Sequence, residues 1–121
     1  MQLQLTTIHV EDIEKSIDFY ENILGLEEVK RINPRPGVEI SFLQDEGGTI
    51  ELIAGEEITA DSNAGISIGF KVEDMEATIA ELKDQGIELL SGPIETPNGV
   101  KLAFIADPDG VEIEFIEGLN L

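Results

Sequence analysis

The sequence predicts an α+β fold made of two copies of a strand–helix–three-strand unit, each helix packed on one face of its own sheet. Three observations predict it. Ile8-His9-Val10-Glu11-Asp12 recurs as Phe70-Lys71-Val72-Glu73-Asp74, 62 residues later. Gly47-Gly48-Thr49-Ile50-Glu51-Leu52-Ile53 recurs as Gly110-Val111-Glu112-Ile113-Glu114-Phe115-Ile116, 63 residues later. Between these markers the hydrophobic pattern runs in the same order both times, and self-similarity at a fixed offset is the mark of a repeated structural unit.

Each copy opens on an alternating, β-branched run that stops at an acidic pair, which reads as a strand. A helical pattern follows at once. In the first copy Ile13, Ile17, Tyr20 and Leu24 fall on one helical face, with Asp12 placed to cap the start and Gly25 to end the helix. In the second copy Met75, Ile79 and Leu82 form the stripe, Asp74 the cap and Gly86 the stop. Glu27 to Ile32 and Ile87 to Leu90 then read as extended, and Val38 to Leu43 and Val100 to Ala106 as the next strands. The segment Ile32-Asn33-Pro34-Arg35-Pro36-Gly37 reads as a stiff turn bracketed by the two arginines, Arg31 and Arg35. Gly47-Gly48 and Asp107-Pro108-Asp109-Gly110 read as tight reversals before the closing strands. Gly55 to Gly65, rich in small and acidic residues, is the natural link, so the halves run from about 1 to 55 and from about 64 to 118.

A chain of 121 residues fits one domain with a core of its own. Hydrophobic residues at 41% and charged residues at 27% are the balance of a globular protein rather than a disordered tail. The net charge of −19, from 7 basic and 26 acidic residues, repels phosphate backbones and anionic membranes. Neither nucleic acid nor a membrane is therefore an expected partner. No apolar run approaches the length of a membrane span, and no basic-then-apolar leader is visible. With no cysteine there is no disulfide framework, thiolate ligand or thiol nucleophile. A cytoplasmic protein is expected. Gly47-Gly48 lacks the lysine and following helix of a phosphate-cradling loop.

The duplicated order resembles that of the vicinal-oxygen-chelate superfamily, which includes glyoxalases, bleomycin-resistance proteins and extradiol dioxygenases. The stretch from His9 through Gly25, with Ser16, Phe19-Tyr20 and Leu24-Gly25-Leu26, is similar to that family's first strand and helix. Asp107-Pro108-Asp109-Gly110 with Ile113-Glu114-Phe115-Ile116 is similar to its closing turn and last strand. The resemblance implies two curved, mixed four-stranded sheets around a cavity. Each half closes on a partner half, from the same chain or from a second one. A homodimer is the expected assembly.

In the metal-dependent members four inward side chains hold one divalent ion, and the resemblance places them at Leu5, Glu51, Ser67 and Glu114. Both carboxylates are present. Leu5 has no donor atom, and the Ser67 hydroxyl is a feeble ligand for a transition ion. No resident cofactor is expected on that ground, with a divalent metal as the alternative. His9 lies four residues beyond Leu5 on the same strand face, about 13 Å away, and metal–nitrogen bonds are about 2 Å. It reads as a cavity-wall residue that hydrogen-bonds ligand or as a structural histidine. Lys71, its counterpart, faces ligand in the same way or is a solvated strand-end lysine. Thr7 shares the His9 face, and Phe42 and Phe104 stand on strands able to line the pocket. Thr7, His9, Phe42, Ser67, Lys71 and Phe104 are thus the expected ligand-binding set.

Glu51 and Glu114 are the expected catalytic pair. Each interrupts an apolar strand, and on a half-solvated sheet such a residue can simply point outward. Their matched places in the repeat argue for one common, inward face. Two carboxylates converging without a cation would raise at least one pKa, as general acid–base work requires. The sequence thus supports two functions. One is a small-molecule-binding protein of the bleomycin-resistance type. The other is a divalent-metal lyase, or an epimerase or isomerase, of the glyoxalase I type using Glu51 and Glu114. Arg31 and Arg35 either hold a ligand anion or pair with the abundant acids.

Overall fold

A computed structural model describes residues 1–55 and 65–121. The link expected at Gly55 to Gly65 lies mostly outside the described residues. Two compact units are present, Met1–Ala64 and Gly65–Leu121.

The first unit begins with β1 (Thr6–His9) and α1 (Ile13–Asp18), which runs on as a π-helical turn over Phe19–Ile23. It continues with β2 (Glu27–Arg35), β3 (Val38–Asp45) and β4 (Gly48–Gly55). The second unit repeats the order as β5 (Ser67–Lys71), α2 (Met75–Asp84), β6 (Ser91–Glu95), β7 (Lys101–Ala106) and β8 (Glu112–Glu117). The sheets have matching topologies, β1-β4-β3-β2 and β5-β8-β7-β6, with the first pair of each parallel and the rest antiparallel. The duplicated β-α-β-β-β reading is therefore observed, as two mixed four-stranded sheets.

Both helices start as the sequence predicts. Asp12 accepts from the Lys15 amide and Asp74 from the Ala77 amide, each at 3.1 Å, and both caps have extended backbone. Beyond Gly25 and Gly86 the chain leaves the helix through positive φ. The π-helical turn lets Phe19 and Tyr20, adjacent in sequence, both enter the core, where their rings meet edge to face at 5.4 Å.

Each helix lies on the last two strands of its unit's hairpin, α1 on β3 and β4, α2 on β7 and β8. Ile8, Leu43, Ile50 and Leu52 are buried on one sheet face in the first unit, and Ala103, Ile105, Ile113 and Phe115 in the second. The opposite face of each sheet holds residues of the other parity.

Two elements differ from the expected layout. The stiff turn after Arg31 is strand: β2 continues to Arg35, and only Pro36-Gly37 turns. Pro34 is tolerated there because β2 is an edge strand with a register shift between Ile32 and Arg35. The extended segment expected at Ile87 to Leu90 lies later, at Ser91–Glu95, where another proline sits on another edge strand. Among the described residues no helix is long and apolar enough to cross a membrane.

Candidate functional site

Strand register decides which side chains meet. On the sheet face away from α1, Thr7 pairs with Glu51, Glu51 with Phe42, and Phe42 with Lys30. These four stand in one row across the sheet, about 4.8 Å from strand to strand. The Thr7 hydroxyl donates to Glu51 Oε1 at 2.7 Å, fixing the orientation of that carboxylate. One pleat further along lies a second row, His9, Ile53, Ile40 and Ile32. On the other side Gln44 donates from Nε2 to the Thr49 hydroxyl at 2.9 Å. Among the described residues the face thus carries an oriented carboxylate among apolar side chains, with Lys30 and, opposite Val38, Arg35 on its edge strand.

The second unit repeats the arrangement. Gly69 pairs with Glu114, Glu114 with Phe104, and Phe104 with Ser91. The adjoining row is Lys71, Ile116, Leu102 and Ile94. In both units a glutamate lies beside a phenylalanine, and a basic residue heads a row of three aliphatic ones. The copies differ at the first and last places of the glutamate row. Where the first unit has Thr7, the second has Gly69, and a Cβ built there would lie 2.9 Å from Ile116 Cδ1 and 3.6 Å from Glu114 Oε1. Ile116 and Glu114 therefore lean over space that the Thr7 side chain occupies in the first copy.

The residues singled out from the sequence fall as follows. Glu51 and Glu114 are half-buried and stand on equivalent faces of their sheets, not on the helix-covered faces. Phe42 and Phe104 are half-buried directly beside them. Thr7 touches Glu51. His9 is half-buried beside Ile53, one pleat away from the Glu51 pairing. Ser67 is exposed and pairs with Glu112, so it is a pleat removed from Glu114. Lys71 is exposed, its Nζ 3.7 Å from Glu73 Oε1. Leu5 precedes β1 and brings no donor atom. Among the described residues no group of three or more carboxylate, imidazole or thiol side chains is gathered as a metal site.

Arg31 is drawn into ion pairs, the second of the two roles its loop allowed. It reaches Glu28 at 2.6 Å, Glu14 at 2.8 Å and Glu39 at 3.4 Å. The hydrogen bond from Arg31 holds the Glu28 carboxyl below the usual carboxylate range, assisted by the Ser41 hydroxyl and opposed by partial burial. Glu28 first, and then Glu14, push the Arg31 guanidinium up. Arg31 pairs with Ser41 across the strands, which places it on the helix side, away from the Glu51 row.

Lys30, Ile32, Ile40 and Ile53 were not among the residues expected at the site. Simple alternation puts Lys30 on the same face as Glu28. A bulge between them, at Val29, reverses the parity, so that Glu28 pairs with Leu43 and Lys30 with Phe42.

Comparison with known proteins gives a consistent picture. A family model described as the Glyoxalase/Bleomycin resistance protein/Dioxygenase superfamily matches residues 2–115. Lactoylglutathione lyase of Haemophilus influenzae is 32% identical over 130 aligned positions, covering 97% of this chain and 93% of the relative. The uncharacterized protein YwbC of Bacillus subtilis is 36% identical over 119 positions, covering 93% and 94%. TnmS3, an antibiotic binding protein from a Streptomyces species, shares the fold with a TM-score of 0.76 at 24% identity, over 98% of this chain and 97% of that one.

Proposed function

This chain belongs to the Glyoxalase/Bleomycin resistance protein/Dioxygenase superfamily, and on that footing we propose that it is a small-molecule-binding protein working without a complete metal site. One observation carries the reading. Of the four positions that the family resemblance assigns to a metal, Leu5 has no donor and Ser67 offers an exposed hydroxyl. The Glu51 carboxylate is engaged by Thr7, and His9 lies a pleat away from it, beside Ile53. Two carboxylates without an imidazole do not suit nickel, zinc or cobalt, whose protein sites draw on nitrogen or sulfur donors. The donor set does not fit the ion.

The sheet faces support a binding role. A half-buried apolar platform with few, placed polar groups is the usual make-up of a small-molecule site. Glu51, Phe42 and Thr7 in the first unit, with Glu114 and Phe104 in the second, are the residues proposed to line it. That both glutamates face one cavity, within a chain or across two chains, is part of this proposal. The same fold serves antibiotic binding in TnmS3.

A divalent-metal lyase or isomerase using Glu51 and Glu114 is the competing reading. Two things favour it: both carboxylates are kept at equivalent places, and lactoylglutathione lyases are about 30% identical to this chain. Elemental analysis of natively purified protein, with a thermal-shift screen of divalent ions, separates the two. The binding reading expects no stoichiometric nickel, zinc, cobalt or manganese. One tightly held ion per chain, removed by chelator with a fall in melting temperature, overturns it.

A further inference from the structure

We infer that the first unit's open sheet face is built for a flat, apolar molecule bearing opposite charges at its two ends. In this arrangement its cationic or N–H donor end meets Glu51, its body lies over Phe42, and its anionic end meets Lys30. The inference rests on the binding role proposed above and names the ligand class.

The row Thr7, Glu51, Phe42, Lys30 sets the geometry. Glu51 and Lys30 are two strands apart, about 10 Å between their backbones, with the Phe42 ring between. Among the described residues no ion pair involves either side chain. The Thr7 hydroxyl occupies one acceptor position of the Glu51 carboxylate at 2.7 Å. An ionised carboxylate has about four such positions, so Glu51 is held in place while remaining an acceptor. Thr7 is then a positioning residue.

Phe42 and Ile53, both half-buried, offer apolar surface on which a ring packs in an offset arrangement, while Ile40 beside them is buried. Charge complementarity sets the preference. A neutral molecule laid over Phe42 desolvates Glu51 and Lys30 with no compensation, and a singly charged one compensates only one of them. The second unit keeps Glu114 beside Phe104 but has Gly69 and Ser91 at the ends of its row. The charge pair across an aromatic ring therefore belongs to the first unit alone.

The chain has no tryptophan, so the emission of a naphthalene probe is read without interference. Four probes test the inference by fluorescence anisotropy on the intact protein: 6-(aminomethyl)-2-naphthoate, 2-naphthylmethylammonium, 2-naphthoate and neutral 2-naphthylmethanol. The doubly charged probe is expected to bind at least about tenfold more tightly than any of the others. Glu51→Gln is expected to abolish its advantage over 2-naphthoate, and Lys30→Met its advantage over 2-naphthylmethylammonium. The wild-type ranking decides the matter even if a variant fails to fold. Equal binding of all four probes overturns the inference and leaves the binding role standing. If none of them binds, both fall.

Discussion

Asp107 is buried, yet it is well satisfied. Its Oδ1 accepts from the Asp109 amide at 2.9 Å and the Val111 amide at 2.8 Å, while Gly110, at φ 88°, closes the turn. Asp107→Ala strands the buried Val111 amide without an acceptor. A loss of about 2–3 kcal/mol is expected in urea unfolding, and a clearly smaller one for Asp107→Asn, which keeps an acceptor oxygen. An equal loss for both would locate the role in the charge and not in the hydrogen bonds. This residue was legible in the sequence, since Asp-Pro-Asp-Gly is turn chemistry written locally. The common face of Glu51 and Glu114 was legible for another reason, because two copies of one pattern had to agree on it. Lys30 was not, because its orientation depends on a bulge at Val29 that leaves no trace in the alternation of apolar residues.

At the scale of elements, the helices and their caps were legible from short-range signals, and the bounds of edge strands β2 and β6 were not. Pro34 suggested chain reversal, whereas it lies in an edge strand, as Pro93 does, where a missing N–H removes little from the ladder. The ion-pair cluster around Arg31 joins three elements, linking Glu14 on α1, Glu28 on β2 and Glu39 on β3. Its pH dependence follows from the direction of the shift. The Glu28 pKa is depressed in the folded protein, so the stability it contributes is present above its unfolded pKa. That contribution disappears as pH falls through the folded value. Arg31→Met is expected to cost roughly 1 kcal/mol near neutral pH, the upper end for a partly exposed network. In acid the gap from wild type should narrow, as pH falls through the folded value of Glu28, which lies below the usual carboxylate range. Urea unfolding near neutral pH and in acid checks this, and a gap that persists in acid would mean that Arg31 acts by packing alone.

At the scale of the whole molecule, the duplication was legible because it imposed one order of elements twice. The homodimer expected from the sequence rests on the open edges that such sheets leave. Each sheet ends in two edge strands, and Val29 and Ile94, on edge strands β2 and β6, are about half exposed. Unpaired edges and exposed aliphatic side chains invite a partner, and a two-fold pairing covers both with one surface. Sedimentation equilibrium at micromolar concentration and moderate salt is expected to give twice the 13.2 kDa of one chain. The charge of −19 opposes this only near the contact, since screening acts over about 8 Å at physiological salt. A mass that stays at one chain across the concentration range would reject the dimer. The parallel pairing of β1 with β4 also bears on biosynthesis. The first sheet receives its last strand at Gly55, and none of its ladder waits for residues of the second unit. A ribosome therefore releases the whole first ladder while the second unit is still being translated.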